Sequence, residues 1–170
     1  MDGGRETIDE GERKMRRSER EIKDKKTVTA ILEQSPVGRI ATVNLKGFPI
    51  IKPVNFLYWD GKIYIHSSTK GEKIRDIRRE SRVCFEVDEP IAYAPASGPA
   101  CVAGYYYRSI IIKGKANLLD KSGEKLKILE RLMEKYQPEG GYEAIPEEAL
   151  KKTAIIEISI REITGKERLG

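Results

Sequence analysis

Apolar and polar positions alternate with period two over several stretches of this chain and follow helical spacing over others. Val28, Ile31 and Leu32 predict a short helix, which Gln34-Ser35-Pro36 stops. "VGRIATVNL" (Val37–Leu45) then reads as a strand ending at a Lys46-Gly47 turn. "FPIIKPVNFLYW" (Phe48–Trp59) reads as the next, and Asp60-Gly61 after it is a strong hairpin signal. "KIYIHSS" returns as a third strand. Lys70 to Glu80 predicts a helix with Ile74 and Ile77 on one face, and "RVCFEV" (Arg82–Val87) a fourth strand. The Pro-, Gly- and Ala-rich stretch from Asp88 to Gly104 reads as a long loop. "YYYRSIIIKGKANLL" (Tyr105–Leu119) predicts a fifth strand bent at Gly114. Leu126, Leu129, Leu132, Met133 and Tyr136 stripe an amphipathic helix over Lys125–Tyr136. A helical turn at Pro146–Lys151 and a strand "TAIIEISIREI" (Thr153–Ile163) follow.

These elements predict a mainly β, α+β chain of six antiparallel strands with short flanking helices, a small barrel or sandwich. Residues 1–26 mix acids and bases with few apolar residues. They read as a charged extension that is frayed or orders against a partner, ahead of a domain over 27–170.

Composition narrows the function. Charged residues make up 35% of the 170 and net charge is +5, which permits an anionic ligand. The basic residues are interleaved with acids and the tyrosines follow no RNA-binding pattern, so no nucleic-acid partner is expected. No apolar run approaches the roughly 20 residues that span a bilayer, so no membrane partner is expected and a cytoplasmic location is. Cys84 and Cys101 read as reduced thiols, and one histidine with two distant cysteines makes no metal set.

The only histidine, His66, ends a strand just before Ser67, Ser68, Thr69, Lys70, Gly71 and Lys73 open a helix. A structural account exists: Thr69-x-x-Glu72 has the spacing of a capping box, and the cations suit a solvated face. A functional account uses the same residues. A helix N-terminus favours a phosphate, Ser67 and Ser68 add hydroxyl donors, and Lys73 adds a full charge. The hairpin is expected to place "KPVN" (Lys52, Pro53, Val54, Asn55) opposite the stretch after His66. Pro53 marks an edge strand or bulge, or a break whose free backbone groups bond a flat heterocycle. "YYYRS" places three tyrosines beside Arg108 and Ser109, as an interface or as the wall of an anion site.

The ordered set "GRIAT", "PIIKPVNF", "DGKIYIHSSTKGEK", "VCFEV", "YYYRSIIIKGKA" and "SIREITGKE" resembles the pyridoxamine-phosphate-oxidase-like FMN-binding split-barrel family. Within it the chain is most similar to the nitroimidazole-resistance branch, over about Met15 to Glu167. The resemblance implies a six-stranded Greek-key split barrel and a homodimer with FMN at the subunit interface. It implies His66, Ser67, Ser68 and Lys73 on the phosphate and ribityl side, and Lys52, Pro53, Val54 and Asn55 along the isoalloxazine. It puts Arg108 and Ser109 in the flavin cleft and His66 among residues that handle substrate. Glu72 stands where the true oxidases carry an arginine, and their C-terminal Trp/Arg motif is missing, so vitamin B6 oxidation is not expected.

The expected function is therefore an FMN-dependent oxidoreductase acting on a small molecule, with Lys52 as a charge near the flavin ring and His66 as proton donor. A non-catalytic flavin or haem carrier and a deazaflavin-dependent reductase remain open beside it.

Overall fold

The structure, a computed structural model, describes residues 16–170. Its seven strands are β1 (Gly38–Val43), β2 (Pro49–Val54), β3 (Leu57–Trp59), β4 (Lys62–Ser68), β5 (Arg82–Ala94), β6 (Gly104–Leu119) and β7 (Thr153–Arg168). The helices are α1 (Lys25–Gln34), α2 (Glu72–Arg79), α3 (Ser122–Tyr136) and α4 (Glu147–Lys152). All strand pairs are antiparallel, in the order β2-β1-β5-β6-β7-β4-β3. The two edge strands, β2 and β3, are joined by Asn55 and Phe56 alone, a link of at most about 11 Å. The sheet must therefore curl until its edges meet, which makes it a barrel split along the β2/β3 seam.

That seam corrects the expectation of one strand from Phe48 to Trp59 and raises the count from six to seven. Phe56 bonds to α3 rather than to a neighbouring strand. Its N–H donates to Tyr136 Oη at 2.8 Å, and its carbonyl accepts from Tyr136 Oη at 3.0 Å and Lys135 Nζ at 3.1 Å. With its backbone groups satisfied there, the residue leaves the ladder. Its ring packs edge-on against Phe85, 4.9 Å between centroids. Gly38 is required beneath them, because a Cβ there would lie 2.2 Å from the Phe85 ring.

The Asp60-Gly61 turn forms as expected, both residues at positive φ (51° and 70°). The bend at Gly114 appears as a register shift between Lys113 and Gly114 against β7. The segment from Asp88 is not all loop. β5 runs on to Ala94, paired with Gly104–Ser109 of β6, and the tyrosines supply the β-prone partner that the Pro- and Ala-rich side lacks.

Inside the barrel lie Ile40, Phe56, Ile63, Ile65, Phe85, Val87, Ile110, Ile112, Ile156 and Ile158. α2 closes this core with Ile74 and Ile77, and its buried Asp76 accepts from Thr42 Oγ1 at 3.0 Å. A second cluster of Leu57, Tyr64 and Ile155 sits under α3, whose buried residues are Ile128 and Leu132. The apolar stripe of α3 is thus centred on Ile128 rather than running from Leu126.

Of the charged segment 1–26, residues 1–15 lie outside the described residues. Beyond them a 3-10 turn at Ser18–Arg20 leads to Glu21, which pairs with Lys166, and to Ile22, which is buried in the core. Asp24 caps α1, accepting from Lys26 and Thr27, so the helix opens before residue 27. Among the described residues no helix is long and apolar enough to cross a membrane.

Candidate functional site

The junction after β4 is built from three segments. Alternation along β4 puts Ser67 on the face of Ile63 and Ile65, and His66 and Ser68 on the face of Tyr64. The chain then turns at Gly71 (φ 137°), the N-cap of α2. This corrects the capping-box expectation. Thr69 lies two residues too early, its N–H donates to Lys152 O at 3.1 Å, and no side chain caps the helix. The first-turn N–H groups of α2 thus face outward with no side-chain acceptor, and nothing lies within 4 Å of the Gly71 Cβ position. Ser68 Oγ accepts from Lys70 N at 3.2 Å, which leaves its own proton free to donate.

Two lysines and the histidine gather here. Lys73, in the first turn of α2, is half-buried. Burial and the nearby Lys52 charge push its pKa below the usual lysine range. His66 lies at the surface, where partial desolvation and then the Lys73 charge lower its pKa. Both effects disfavour the imidazolium form of His66 in the absence of an anion. Lys52 Nζ bonds Glu72 Oε2 at 2.7 Å, and this bond draws the Glu72 pKa down. Lys73 has no carboxylate partner among the described residues.

The "KPVN" stretch meets the residues after His66 through the Lys52–Glu72 bond rather than through strand pairing. Lys52, Pro53 and Val54 pair with Ile40, Arg39 and Gly38 of β1, not with the residues after His66. Asn55 lies in the link to β3. β2 is an edge strand, which is why Pro53 is tolerated. Its free edge offers backbone groups toward the seam.

Arg108 and Ser109 stand apart from this junction. They pair with Glu167 and Lys166 of β7, whereas His66 pairs with Ile155, eleven residues earlier on the same strand. That separation is about 35 Å of strand length. As neighbours on β6 they also point to opposite faces. Arg108 is tied to Glu167 and Glu89 at 3.3 and 3.9 Å. Ser109 shares the outward face of β2-β1-β5-β6 with Ile111, Arg39, Pro53 and Ile51. The single chain thus brings together Lys52, His66, Ser67, Ser68 and Lys73, and leaves Arg108 and Ser109 elsewhere.

Two features of the junction escaped the sequence reading. Glu72 as the partner of Lys52 joins residues 20 apart in sequence, and no local pattern carries it. Gly71 as N-cap was in view, but the Thr69/Glu72 spacing offered a competing cap.

A family profile described as pyridoxamine 5'-phosphate oxidase matches residues 24–167. No curated protein matches the chain. Among solved structures, a candidate 5-nitroimidazole antibiotic resistance protein from Bacteroides thetaiotaomicron superposes with a TM-score of 0.76 at 23% identity, covering 86% of this chain and 85% of that one. The flavocytochrome Anf3 from Azotobacter vinelandii gives 0.83 at 23% identity, covering 92% and 73%. An FAD-binding protein from Mesorhizobium loti gives 0.64 at 25% identity, covering 88% and 98%. With the profile spanning most of its length and the split barrel in place, the chain belongs to the pyridoxamine 5'-phosphate oxidase family.

Proposed function

We propose that this chain is a flavoprotein that seats the phosphate of FMN at the α2 N-terminus and serves as a reductase for a small molecule. The observation that carries the reading is the uncapped first turn of α2 beside Lys73. Two lysines and a histidine converge there with Glu72 as the one paired carboxylate. An anion would satisfy the free N–H groups and offset the repulsion between Lys73 and Lys52. Ser67 and Ser68 would add hydroxyl donors, and the free edge of β2 from Lys52 to Asn55 would run along the ring. The names of fold relatives that bind FAD or act on F420 lean the same way.

A second copy completes the cleft in this reading. Arg108 and Ser109 lie too far along β6 to reach the junction of their own chain. Val43, Ile51 and Ile111 are exposed on the outward face that also carries Ser109, and burying such a patch drives pairing of chains. FMN, when bound, supplies reversible hydride and electron transfer. The chain's residues hold and orient it: Lys73 and the α2 N–H groups fix the phosphate, and His66 offers its imidazole at the cleft.

A haem carrier is the weaker alternative, because the one histidine available as an axial ligand stands in the anion cradle. The test is the absorption spectrum of the purified protein, then the mass of the molecule released on denaturation. A flavin spectrum with the FMN mass supports the reading. A colourless protein that takes up no added FMN overturns it.

A further inference from the structure

A second cationic pocket lies at the far end of β7. It is a cavity of about 550 Å³ lined by Arg16, Arg17, Arg20, Lys166, Arg168 and the short wall Cys101–Ala103. Among the described residues no carboxylate lines it, and none of the five cations pairs with one within 4.0 Å. Other described cations also lack a carboxylate within 4.0 Å, Lys46, Lys70 and Arg161 among them, but these five converge on one cavity.

The fold assembles the pocket on purpose-built contacts. Ile22 N donates to Gly165 O at 3.0 Å and the Ile22 side chain enters the core. Gly165 permits this approach, since a Cβ there would lie 2.9 Å from the Ile22 Cβ. The docked segment carries Arg16, Arg17 and Arg20 against β7, where Lys166 sits at the Glu21 bridge. Two residues further along β7, Arg168 Nη2 donates to Val102 O at 3.0 Å, and its guanidinium lies 5.6 Å from the Tyr106 ring centre. Gly104 leaves room for it, because a Cβ there would meet Nη1 at 2.6 Å. Arg168 is thus oriented before any ligand arrives, with N–H groups to spare.

We propose that this pocket binds the diphosphate group of a nucleotide. A single phosphate would leave most of the five charges uncompensated, whereas adjoining phosphates present acceptors to several guanidinium forks at once. The uncharged wall from Cys101 to Ala103 gives the nucleoside a place beside the cations. Within one chain the site is separate from the α2 junction: Lys166 and Ile155, the β7 partner of His66, are eleven residues apart. It therefore stands whether or not FMN binds there.

Calorimetric titration of the full chain with ADP, inorganic pyrophosphate and orthophosphate tests the assignment. ADP and pyrophosphate should bind at least tenfold more tightly than orthophosphate. The double variant Arg17→Gln/Arg168→Gln should weaken both at least tenfold while keeping its melting temperature. Lys73→Ala should leave both unchanged, so a failure at the flavin site does not register here. Absence of ADP and pyrophosphate binding, equal affinity for orthophosphate, or indifference to the double variant would each overturn the proposal. So would a short RNA that binds more tightly than ADP and is lost with the same variant, since that marks a nucleic-acid surface.

Discussion

Lys52 Nζ lies 2.7 Å from Glu72 Oε2, and this ion pair joins the edge strand β2 to the first turn of α2. Both side chains are partly exposed, so the pair adds little to stability. Its effect is on charge, since Glu72 neutralises one of the two lysines where an anion would sit. Glu72→Gln should therefore raise FMN affinity by about threefold to tenfold, as expected for removing one like charge near a partly screened phosphate. Fluorescence titration of FMN measures it, and the gain should shrink as salt rises. A loss of affinity would mean that Glu72 itself holds the ligand.

Lys73 offers the complementary experiment. It has no carboxylate partner among the described residues, and it stands in the helix turn that lacks a cap. Lys73→Ala should weaken FMN about tenfold to a hundredfold, the range of one or two charge-assisted hydrogen bonds. Lys73→Arg should recover part of it. Unchanged affinity in Lys73→Ala would remove the phosphate from this turn.

The barrel was legible where the signal is local. Asp60-Gly61 needs positive φ at both residues, and the dipeptide shows it. Period-two alternation marked β1, which has one face on the core, whereas β4 and β7 bury three consecutive residues because α3 covers their second face at Tyr64 and Ile155. The seam at Asn55-Phe56 was not legible, because the bonds that pull Phe56 from the sheet come from Lys135 and Tyr136 on α3. The extension of β5 to Ala94 was hidden because its partner, the tyrosine run of β6, carries the pairing preference. For the site, the residues of the β4–α2 junction were readable as an anion cradle, since a helix start is written in a few consecutive residues. The distance of Arg108 and Ser109 from that cradle depends on β7 register, which no short motif encodes.

The Thr42–Asp76 bond links β1 to α2 inside the protein, 3.0 Å long with both side chains buried. Thr42→Val removes the hydroxyl and leaves the Asp76 carboxyl without that donor. The expected destabilisation is about 1–3 kcal/mol, read from urea unfolding. Because α2 carries the junction, FMN affinity should fall in the same variant. Asp76→Leu added to Thr42→Val should restore part of the stability, since no buried carboxyl then remains to be satisfied. A double variant less stable than Thr42→Val would show that Asp76 has a further partner to satisfy.

The sole histidine makes the junction directly observable by proton NMR, with no assignment ambiguity. Burial first and the Lys73 charge second hold the His66 pKa below its ordinary value of 6.5. A base with a lowered folded-state pKa binds fewer protons when folded than when unfolded. Its contribution to stability is therefore present above the unfolded value and is lost as pH falls through the folded one. Titration of the apo protein should give a midpoint under 6.5, and Lys73→Ala should move it upward. Saturating FMN should move it upward as well, because a phosphate anion offsets the lysine charge and favours imidazolium. An upward shift in Lys73→Ala with none on adding FMN would place the flavin phosphate away from His66 while leaving the local electrostatics as described.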